Sequence, residues 1–293
     1  MSGRRQDHVA ESPALSYRLD KKQVRAAFQR AARSYDTAAR VQRELADRLL
    51  EHLEPVRITP AVVVDVGAGT GDLAARLTKR FSGALVLALD IADHMLRVAR
   101  GKSARWFSKQ RFVCADAEAL PLADASVDLL ISNATLQWCN ELEDTFTECA
   151  RVLKPGGLLM FSSFGPDTLI ELRRSFEGID GRPHVHAFMD MHDLGDALLR
   201  GGFADVVMDS ARLTANYENV GELLHELKSI GATNALSTRQ RGLTGKRRLA
   251  QLTQAYETFR TDNQLPATYE AVFAHAWKPA PGARSVSVSA PVR

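Results

Sequence analysis

The sequence predicts an α/β domain built on an open, doubly wound sheet with mostly parallel strands. Short apolar runs alternate with amphipathic helical stretches between residues 61 and 164, and this spacing is typical of right-handed strand–helix–strand crossovers. The chain has 293 residues, of which 45% are hydrophobic and 25% are charged. Collagen-like, disordered and disulfide-stapled classes are therefore excluded.

Composition also limits the compartment and the partners. Three cysteines without a CxxC pair indicate a reducing compartment and no zinc ribbon. The N-terminus lacks the apolar core of a signal peptide, and no apolar run approaches the ~18 residues of a membrane span. A formal net charge of +3 does not require nucleic acid as a partner. We therefore expect a cytoplasmic protein that binds neither nucleic acid nor a membrane, and separately we expect it to be a monomer.

The N-terminal part is predicted to be an arm followed by helix. Residues 1–20 have mixed charges and are expected to be disordered. Over residues 21–55, apolar side chains recur at three- and four-residue steps, as in an amphipathic helix. Asp36 and Thr37 are expected to interrupt this helix, because both side chains compete for local backbone hydrogen bonds. Pro55 then ends the segment.

Seven strands are predicted between residues 61 and 277. Helices separate the first five, which cover residues 61–66, 84–90, 111–116, 126–133 and 158–164. Two more strands are expected over residues 204–215 and 267–277. The segment 217–265 between them is too long for an ordinary loop, so it is predicted to be a helical insertion. The tail 279–293 is rich in Pro, Ser and Ala and is expected to be disordered.

The strongest local signal is the turn after the first predicted strand, Asp65-Val-Gly67-Ala-Gly69-Thr-Gly71. The glycines let the backbone bend sharply and approach a ligand that a Cβ atom would exclude. The GxGxG spacing differs from the GxGxxG of dinucleotide enzymes. A carboxylate at position 65 would repel a pyrophosphate but attract a cationic amino group. S-adenosylmethionine has such an amino group and no phosphate.

Polar side chains also end the next three predicted strands. Asp90 can accept hydrogen bonds from both hydroxyls of a ribose, and Asp116 can meet an adenine amino group. Asn133 follows the fourth strand, at the edge where ligands of open α/β sheets bind. Ile91 and Ala117 directly follow two of these acids and complete the predicted cofactor site. Helix capping would explain any one acid, but not one at the end of each of the first three strands.

Several segments resemble those of known families. Four within residues 61–165 resemble, in order, the motifs of class I S-adenosylmethionine-dependent methyltransferases: VVDVGAGTGDL, LALDIADHML, ADAEALPL and DLLISNATLQW. Four others resemble the malonyl-[acyl-carrier protein] O-methyltransferases of biotin synthesis: FQRAARSYDTAARVQ, FGPDTLIELRRSF, LLHELKSIGATNA and RGLTGKRRL. This second similarity covers residues 21–278.

The resemblance implies a Rossmann-like seven-stranded sheet with a helical lid (21–55) and a methyltransferase domain (56–278) that contains the insertion. It implies S-adenosylmethionine as methyl donor, no metal, and malonyl-acyl carrier protein as substrate and partner. The free carboxyl of the malonyl group would become a methyl ester, which opens pimeloyl synthesis for biotin. The lid would fold over a cofactor site formed by Tyr35, Asp65, Gly67, Gly69, Gly71, Asp90, Ile91, Asp116, Ala117 and Asn133.

The implied reaction needs no general base, because a malonyl carboxylate is ionised at neutral pH. No catalytic residue is therefore assigned, and Tyr35 and Arg173 are named only as candidates for positioning. Arg174 could orient the carboxylate equally well. Gln137 and Trp138 after the fourth strand are either a wall of the substrate pocket or part of the core. The absence of an Asn-Pro-Pro-aromatic pattern at this point disfavours methylation of nucleic-acid bases.

A basic stretch within the insertion contains five cations and no acid: Arg239, Arg241, Lys246, Arg247 and Arg248. It is either a solvated loop and helix start or a docking surface for the acidic carrier protein. Docking would compensate for placing cations at a helix N-terminus, where they oppose the helix dipole.

A cluster of His184, His186, Asp190, His192 and Asp193 suggests a metal site. However, the Asp190–Asp193 spacing is also that of a helix start, and we expect no metal.

Three alternatives in function remain at this stage. The chain could methylate another small acid or a quinone precursor, or it could be an inactive assembly factor that keeps the methyltransferase fold. A nucleotide-dependent oxidoreductase is disfavoured by the GxGxG spacing.

Overall fold

The computed structural model describes residues 18–103, 109–180, 184–185, 187–233, 245–280 and 282. Most of the predicted N-terminal arm and C-terminal tail lies outside the described residues, as do His186, Arg239 and Arg241. Within these ranges, every helix is too short or too polar for a membrane crossing.

The described residues contain seven strands: β1 (Val62–Val66), β2 (Leu85–Asp90), β3 (Gln110–Cys114), β4 (Val127–Asn133), β5 (Leu153–Phe164), β6 (Ala204–Tyr217) and β7 (Leu265–Trp277). They form one sheet in the order β3-β2-β1-β4-β5-β7-β6. The first five strands are parallel, and β7 runs antiparallel between β5 and β6. Strand order reverses between β1 and β4, so a crevice opens at the carboxyl ends of these strands.

The start of β5 differs from the prediction. The helix before it ends at Val152, and Leu153 is already extended and pairs with Val127. The next pair joins Leu129 to Leu158, so the Lys-Pro-Gly-Gly segment loops out of the ladder. The prediction started this strand five residues later, because Pro and Gly read locally as a break while the sheet accommodates them as an irregularity.

The N-terminal helical segment comprises α1 (Lys21–Ala31), α2 (Tyr35–Ala38) and α3 (Arg40–Leu53). The predicted interruption at Asp36 and Thr37 is wrong, because both residues lie within α2. The breaks fall at residues 32–34 and at Ala39, whose φ of −79° and ψ of 50° leave the helical region. Asp36 does not compete for its own backbone, because its carboxylate bonds to Thr70 and Lys102.

The other described helices are α4 (Asp72–Arg80), α5 (Asp93–Lys102), α6 (Leu142–Val152), α7 (Ile170–Asp180), α8 (Met191–Arg200), α9 (Val220–Ser229) and α10 (Lys246–Tyr256). Helices cover both faces of the sheet. One core contains apolar residues of α3, α4, α7, α9 and α10, and the other contains those of α6 and α8. The sheet is therefore doubly wound as predicted, and α9 and α10 form the helical insertion between β6 and β7.

Candidate active site

The turn after β1 keeps the backbone exposed at the carboxyl edge of the sheet. Gly67 has a φ of +76°, and a Cβ atom there would lie 2.0 Å from Thr135 Oγ1. Gly71 has a φ of +85°, and a Cβ atom there would lie 2.7 Å from the Cβ of Ala99 on α5. These positions accept only glycine, since other residues would be both strained and obstructed.

Asp65 is buried beneath this turn, with 1% of its surface exposed. Neither carboxylate oxygen has a hydrogen-bond partner among the described residues. Burial, reinforced by the negative charge of Asp90, raises the pKa of Asp65 to about 8, although the backbone N–H of Ala74 acts in the opposite direction. An unpartnered buried carboxyl group is costly for a protein, and an ammonium group on a ligand would satisfy it. The site therefore fits the amino group of S-adenosylmethionine.

Asp90 at the end of β2 holds the turn in place. Its Oδ2 accepts a hydrogen bond from Gly69 N (2.8 Å) and its Oδ1 accepts one from Ala92 N (2.7 Å). Burial raises the pKa of Asp90 to about 6, although the two N–H groups act in the opposite direction. Each carboxylate oxygen retains a lone pair, so the group can also accept hydrogen bonds from the two hydroxyls of a ribose.

A cavity of about 620 Å³, which we call the Asp90 cavity, lies at the carboxyl edge of β1, β2 and β4. Eight residues of the predicted cofactor site line it: Tyr35, Gly67, Gly69, Asp90, Ile91, Asp116, Ala117 and Asn133. Asp65 lines an adjoining open cleft, together with Gly67, Gly69 and Tyr35. Gly71 is not among the lining residues of either space. The structure thus brings nine of the ten predicted cofactor residues into two adjoining spaces.

Asn133 contributes to the wall, but its amide group is engaged elsewhere. Nδ2 donates to the backbone oxygen of Gln42 on α3 (2.9 Å), and Oδ1 accepts from Ser162 Oγ on β5 (2.6 Å). The side chain therefore joins α3 to the sheet beside the cavity.

The N-terminal helices cover both spaces. The ring of Tyr35 lies 3.8 Å from where a Cβ of Gly69 would be. Burial, followed by the charges of Asp90, Asp36 and Asp65, raises the pKa of Tyr35 well above its ordinary value. Lys21 and Phe28 of α1 also line the Asp90 cavity. Sequence reasoning missed these two residues, because Phe28 follows the helical apolar pattern and Lys21 has no local signal.

A second cavity, of about 740 Å³, adjoins the first. The two share Phe28, Tyr35, Ala134 and Trp138. We call it the aromatic cavity, because Phe164, Phe188 and Tyr269 also line it, and none of its described lining residues is Asp, Glu, Lys or Arg. Gln137 lines it too; its Nε2 donates to Ala134 O (2.7 Å), while its buried Oε1 has no partner among the described residues. Gln137 and Trp138 are therefore placed at a pocket wall.

The cations proposed for substrate binding lie in different surroundings. Arg173 Nη2 donates to Thr168 O (3.1 Å), and neither Arg173 nor Arg174 lines the aromatic cavity. Arg248 points inward, with Nη2 3.0 Å from Nε2 of His184, which does line this cavity. Lys246 and Arg247 are exposed on the first turn of α10. The described part of the basic stretch therefore divides into an outward pair, Lys246 and Arg247, and an inward residue, Arg248.

The described part of the His/Asp cluster behaves as a helix start. Asp190 caps α8, where its Oδ1 accepts a hydrogen bond from His192 N (2.8 Å) and lies 2.9 Å from His192 Nδ1. His184 instead stacks on Phe176, with ring centroids 3.9 Å apart. Among the described residues, no three His, Cys, Asp or Glu side chains are placed to hold a metal ion.

Comparisons with known proteins agree with this geometry. A family model described as "Methyltransferase domain" matches residues 64–161. The crystal structure of YcgJ from Bacillus subtilis shares the fold with a TM-score of 0.58, over 81% of this chain and 99% of that chain, at 16% identity. Fold and site together define a class I methyltransferase.

Proteins of similar sequence identify the family within this class. The malonyl-[acyl-carrier protein] O-methyltransferase of Gallionella capsiferriformans is 50% identical over 268 residues, which cover 90% of this chain and 92% of that protein. The protein of the same name from Nitrosospira multiformis is 48% identical over 278 residues, or 90% and 91% of the two chains. The chain belongs to the malonyl-[acyl-carrier protein] O-methyltransferase family, which confirms the resemblance seen in the sequence.

Proposed function

We propose that the chain methylates the free carboxyl group of malonyl-acyl carrier protein, with S-adenosylmethionine as the methyl donor. The product is the malonyl methyl ester that opens pimeloyl synthesis for biotin. One observation carries the proposal: a cavity with acidic groups at strand ends shares a wall of four residues with an uncharged aromatic cavity. The first suits the cofactor and the second suits the acyl group.

Three carboxyl groups would hold the cofactor. Asp65 is the partner for the amino group, because it is buried without a hydrogen bond from the described residues. Asp90 is the partner for the ribose hydroxyls, and Asp116 for the adenine amino group. When bound, S-adenosylmethionine supplies an electrophilic methyl group on a sulfonium, and its transfer to a carboxylate oxygen leaves S-adenosylhomocysteine.

The protein's part of the chemistry is to position the acceptor and to exclude water. A malonyl carboxylate is already ionised at neutral pH, so no side chain has to remove a proton. With the acyl group bound, the aromatic walls of the second cavity would exclude bulk water from the site. Phe28 and Tyr35 border both cavities, so closure of α1 and α2 would align the acceptor with the methyl group and seal the junction.

A single assay tests which methyl acceptor the protein uses. The purified protein is incubated with S-adenosylmethionine labelled in the methyl group and with malonyl-carrier protein, malonyl-CoA or free malonate. We expect base-labile label on malonyl-carrier protein, and none on the carrier without its malonyl group. Label on free malonate in preference to both thioesters would instead identify a small-acid methyltransferase. Cofactor binding without transfer to any acceptor would indicate an inactive member of the fold.

We also propose a cytoplasmic, monomeric enzyme without a nucleic-acid partner. Cys114, Cys139 and Cys149 are all free thiols, which suits a reducing compartment.

A further inference from the structure

Lys21, on the first turn of α1, reaches the loop that comes after β3. Its Nζ lies 2.9 Å from Asp116 Oδ1 and 3.1 Å from Glu118 Oε2. The three side chains are only 24–30% exposed, and Lys21 and Asp116 both line the Asp90 cavity. This pair therefore differs from a solvated surface ion pair, because both of its members face the cofactor site.

The two oxygens of Asp116 have different surroundings. Oδ1 accepts hydrogen bonds from Lys21 Nζ and from Glu118 N (3.2 Å). Oδ2 accepts no hydrogen bond from the described residues. A carboxylate that is held through one oxygen can turn little about its side-chain bonds, so the second oxygen keeps a defined direction.

The groups around Lys21 are themselves anchored. Glu118 Oε1 accepts a hydrogen bond from Asn140 N, and Asn140 Oδ1 accepts one from Leu19 N (2.8 Å), two residues before Lys21. Burial lowers the pKa of Lys21, but Cys139, Asp116 and Glu118 more than compensate, so its pKa lies above the ordinary value. The ammonium group is thus charged and has little freedom to leave Asp116.

We propose that Lys21 is a positioning residue for adenine recognition: it holds Asp116 by Oδ1 and directs Oδ2 toward the adenine amino group. The inference rests on the cofactor part of the proposed function and is independent of the methyl acceptor.

The helical segment is also attached to the domain at a point that does not involve Lys21. In α2, Asp36 accepts a hydrogen bond from Thr70 Oγ1 (2.6 Å) and pairs with Lys102 Nζ (2.5 Å). Helices α1 and α2 are therefore attached to the domain at two points beside the cofactor site, and one of these attachments includes Asp116 itself. The Asp36 contacts do not involve Lys21, so α1 and α2 should stay over the site when Lys21 is replaced.

The test compares two ligands by calorimetry: S-adenosylhomocysteine, and its analogue with purine in place of adenine, which lacks the amino group. Lys21→Met removes the charge and keeps the aliphatic stem, and Lys22→Met is the matched control, because Lys22 is exposed on the same turn. We expect Lys21→Met to lower the affinity for S-adenosylhomocysteine roughly tenfold, which corresponds to the loss of about one charge-assisted hydrogen bond. Binding of the purine analogue should change less than about twofold, because it makes no contact with Asp116 Oδ2.

A double-mutant cycle separates positioning from folding. In an Asp116→Asn background, Lys21→Met should cause no further loss of S-adenosylhomocysteine affinity. Equal losses for both ligands would overturn the proposal, since Lys21 would then only close α1. No loss for either ligand would overturn it as well. If the wild-type protein bound neither ligand, the cofactor assignment itself would fail, whereas inactivity toward malonyl-carrier protein would leave this inference standing.

Discussion

Replacing Asp65 with asparagine should stabilise the free protein and weaken cofactor binding at the same time. Asp65 is buried without a hydrogen-bond partner among the described residues, and its pKa is raised to about 8. In the unfolded chain this carboxyl group ionises with its ordinary pKa of 3.8. Between these two values the native state holds a proton that the unfolded state releases. The free energy of unfolding must therefore fall as the pH rises from about 4 to about 8.

The native and unfolded pKa values of Asp65 set the size of the change in the free energy of unfolding. The interval between the ordinary pKa and pH 7, at about 1.36 kcal/mol for each pH unit, corresponds to about 4 kcal/mol at neutral pH. Asparagine carries no such penalty, so Asp65→Asn should raise the free energy of unfolding by up to about that amount. The same substitution removes the charge that attracts the ligand's ammonium group, so affinity should fall roughly ten- to a hundredfold.

Urea unfolding between pH 5 and 9 measures the first effect, and calorimetry with S-adenosylmethionine measures the second. Wild-type stability should decline up to about pH 8, partly through Asp90, whose pKa of about 6 acts in the same direction. In Asp65→Asn the decline between about pH 6 and pH 8 should disappear. Wild-type affinity should rise with pH over the same interval, because the bound ammonium group requires the ionised carboxylate.

A control of opposite sign is available in Asp128. Its oxygens bond to Lys154 Nζ (2.7 Å) and Val62 N (2.8 Å), which hold its pKa below the ordinary value despite partial burial. Asp128→Asn should therefore destabilise the protein at neutral pH. If Asp65→Asn also destabilised it, and wild-type stability did not decline with pH, the account of Asp65 as an isolated buried acid would be refuted.

Two further predictions concern the covering helices and the basic stretch. Tyr35→Ala should lower turnover at least about tenfold and the free energy of unfolding by only about 1–2 kcal/mol, because the half-buried ring covers the site. Tyr35→Phe is the control. A large loss of stability with turnover per folded molecule preserved would show that the ring is core packing. Reversal of the exposed Lys246 and Arg247 should raise KM for malonyl-carrier protein at low salt with little change in kcat. Arg248→Met should lower activity on malonyl-carrier protein and on malonyl-CoA alike, because Arg248 contacts the wall of the aromatic cavity. Steady-state kinetics on malonyl-carrier protein and malonyl-CoA would distinguish the Lys246/Arg247 reversal from Arg248→Met. Equal effects of the two on both substrates would contradict the division into outward and inward cations.

Patterns that depend on neighbours in the chain were predictable. Short apolar runs identified β1, β2, β4 and β5, because a parallel strand with both faces covered is largely apolar. The glycine turn and the acids that end β1 and β2 were equally visible, because a ligand site at the carboxyl edge of a parallel sheet recruits residues from strand ends. Errors arose where tertiary contacts override local preference, as at Asp36, which helps to fasten a helix instead of ending one.

The sequence by itself therefore determined the class of fold, the cofactor edge and the family, because each depends on short segments whose residue types have a direct physical meaning. Only the tertiary structure decided which distant side chains meet. Lys21 lies 95 residues from Asp116 and Arg248 lies 64 from His184, and no local pattern links such partners. The contact of Arg248 with a residue of the cavity wall and the exposure of Lys246 likewise depend on how α10 packs against α7. Helical periodicity defines the faces of a helix, whereas packing determines what each face contacts.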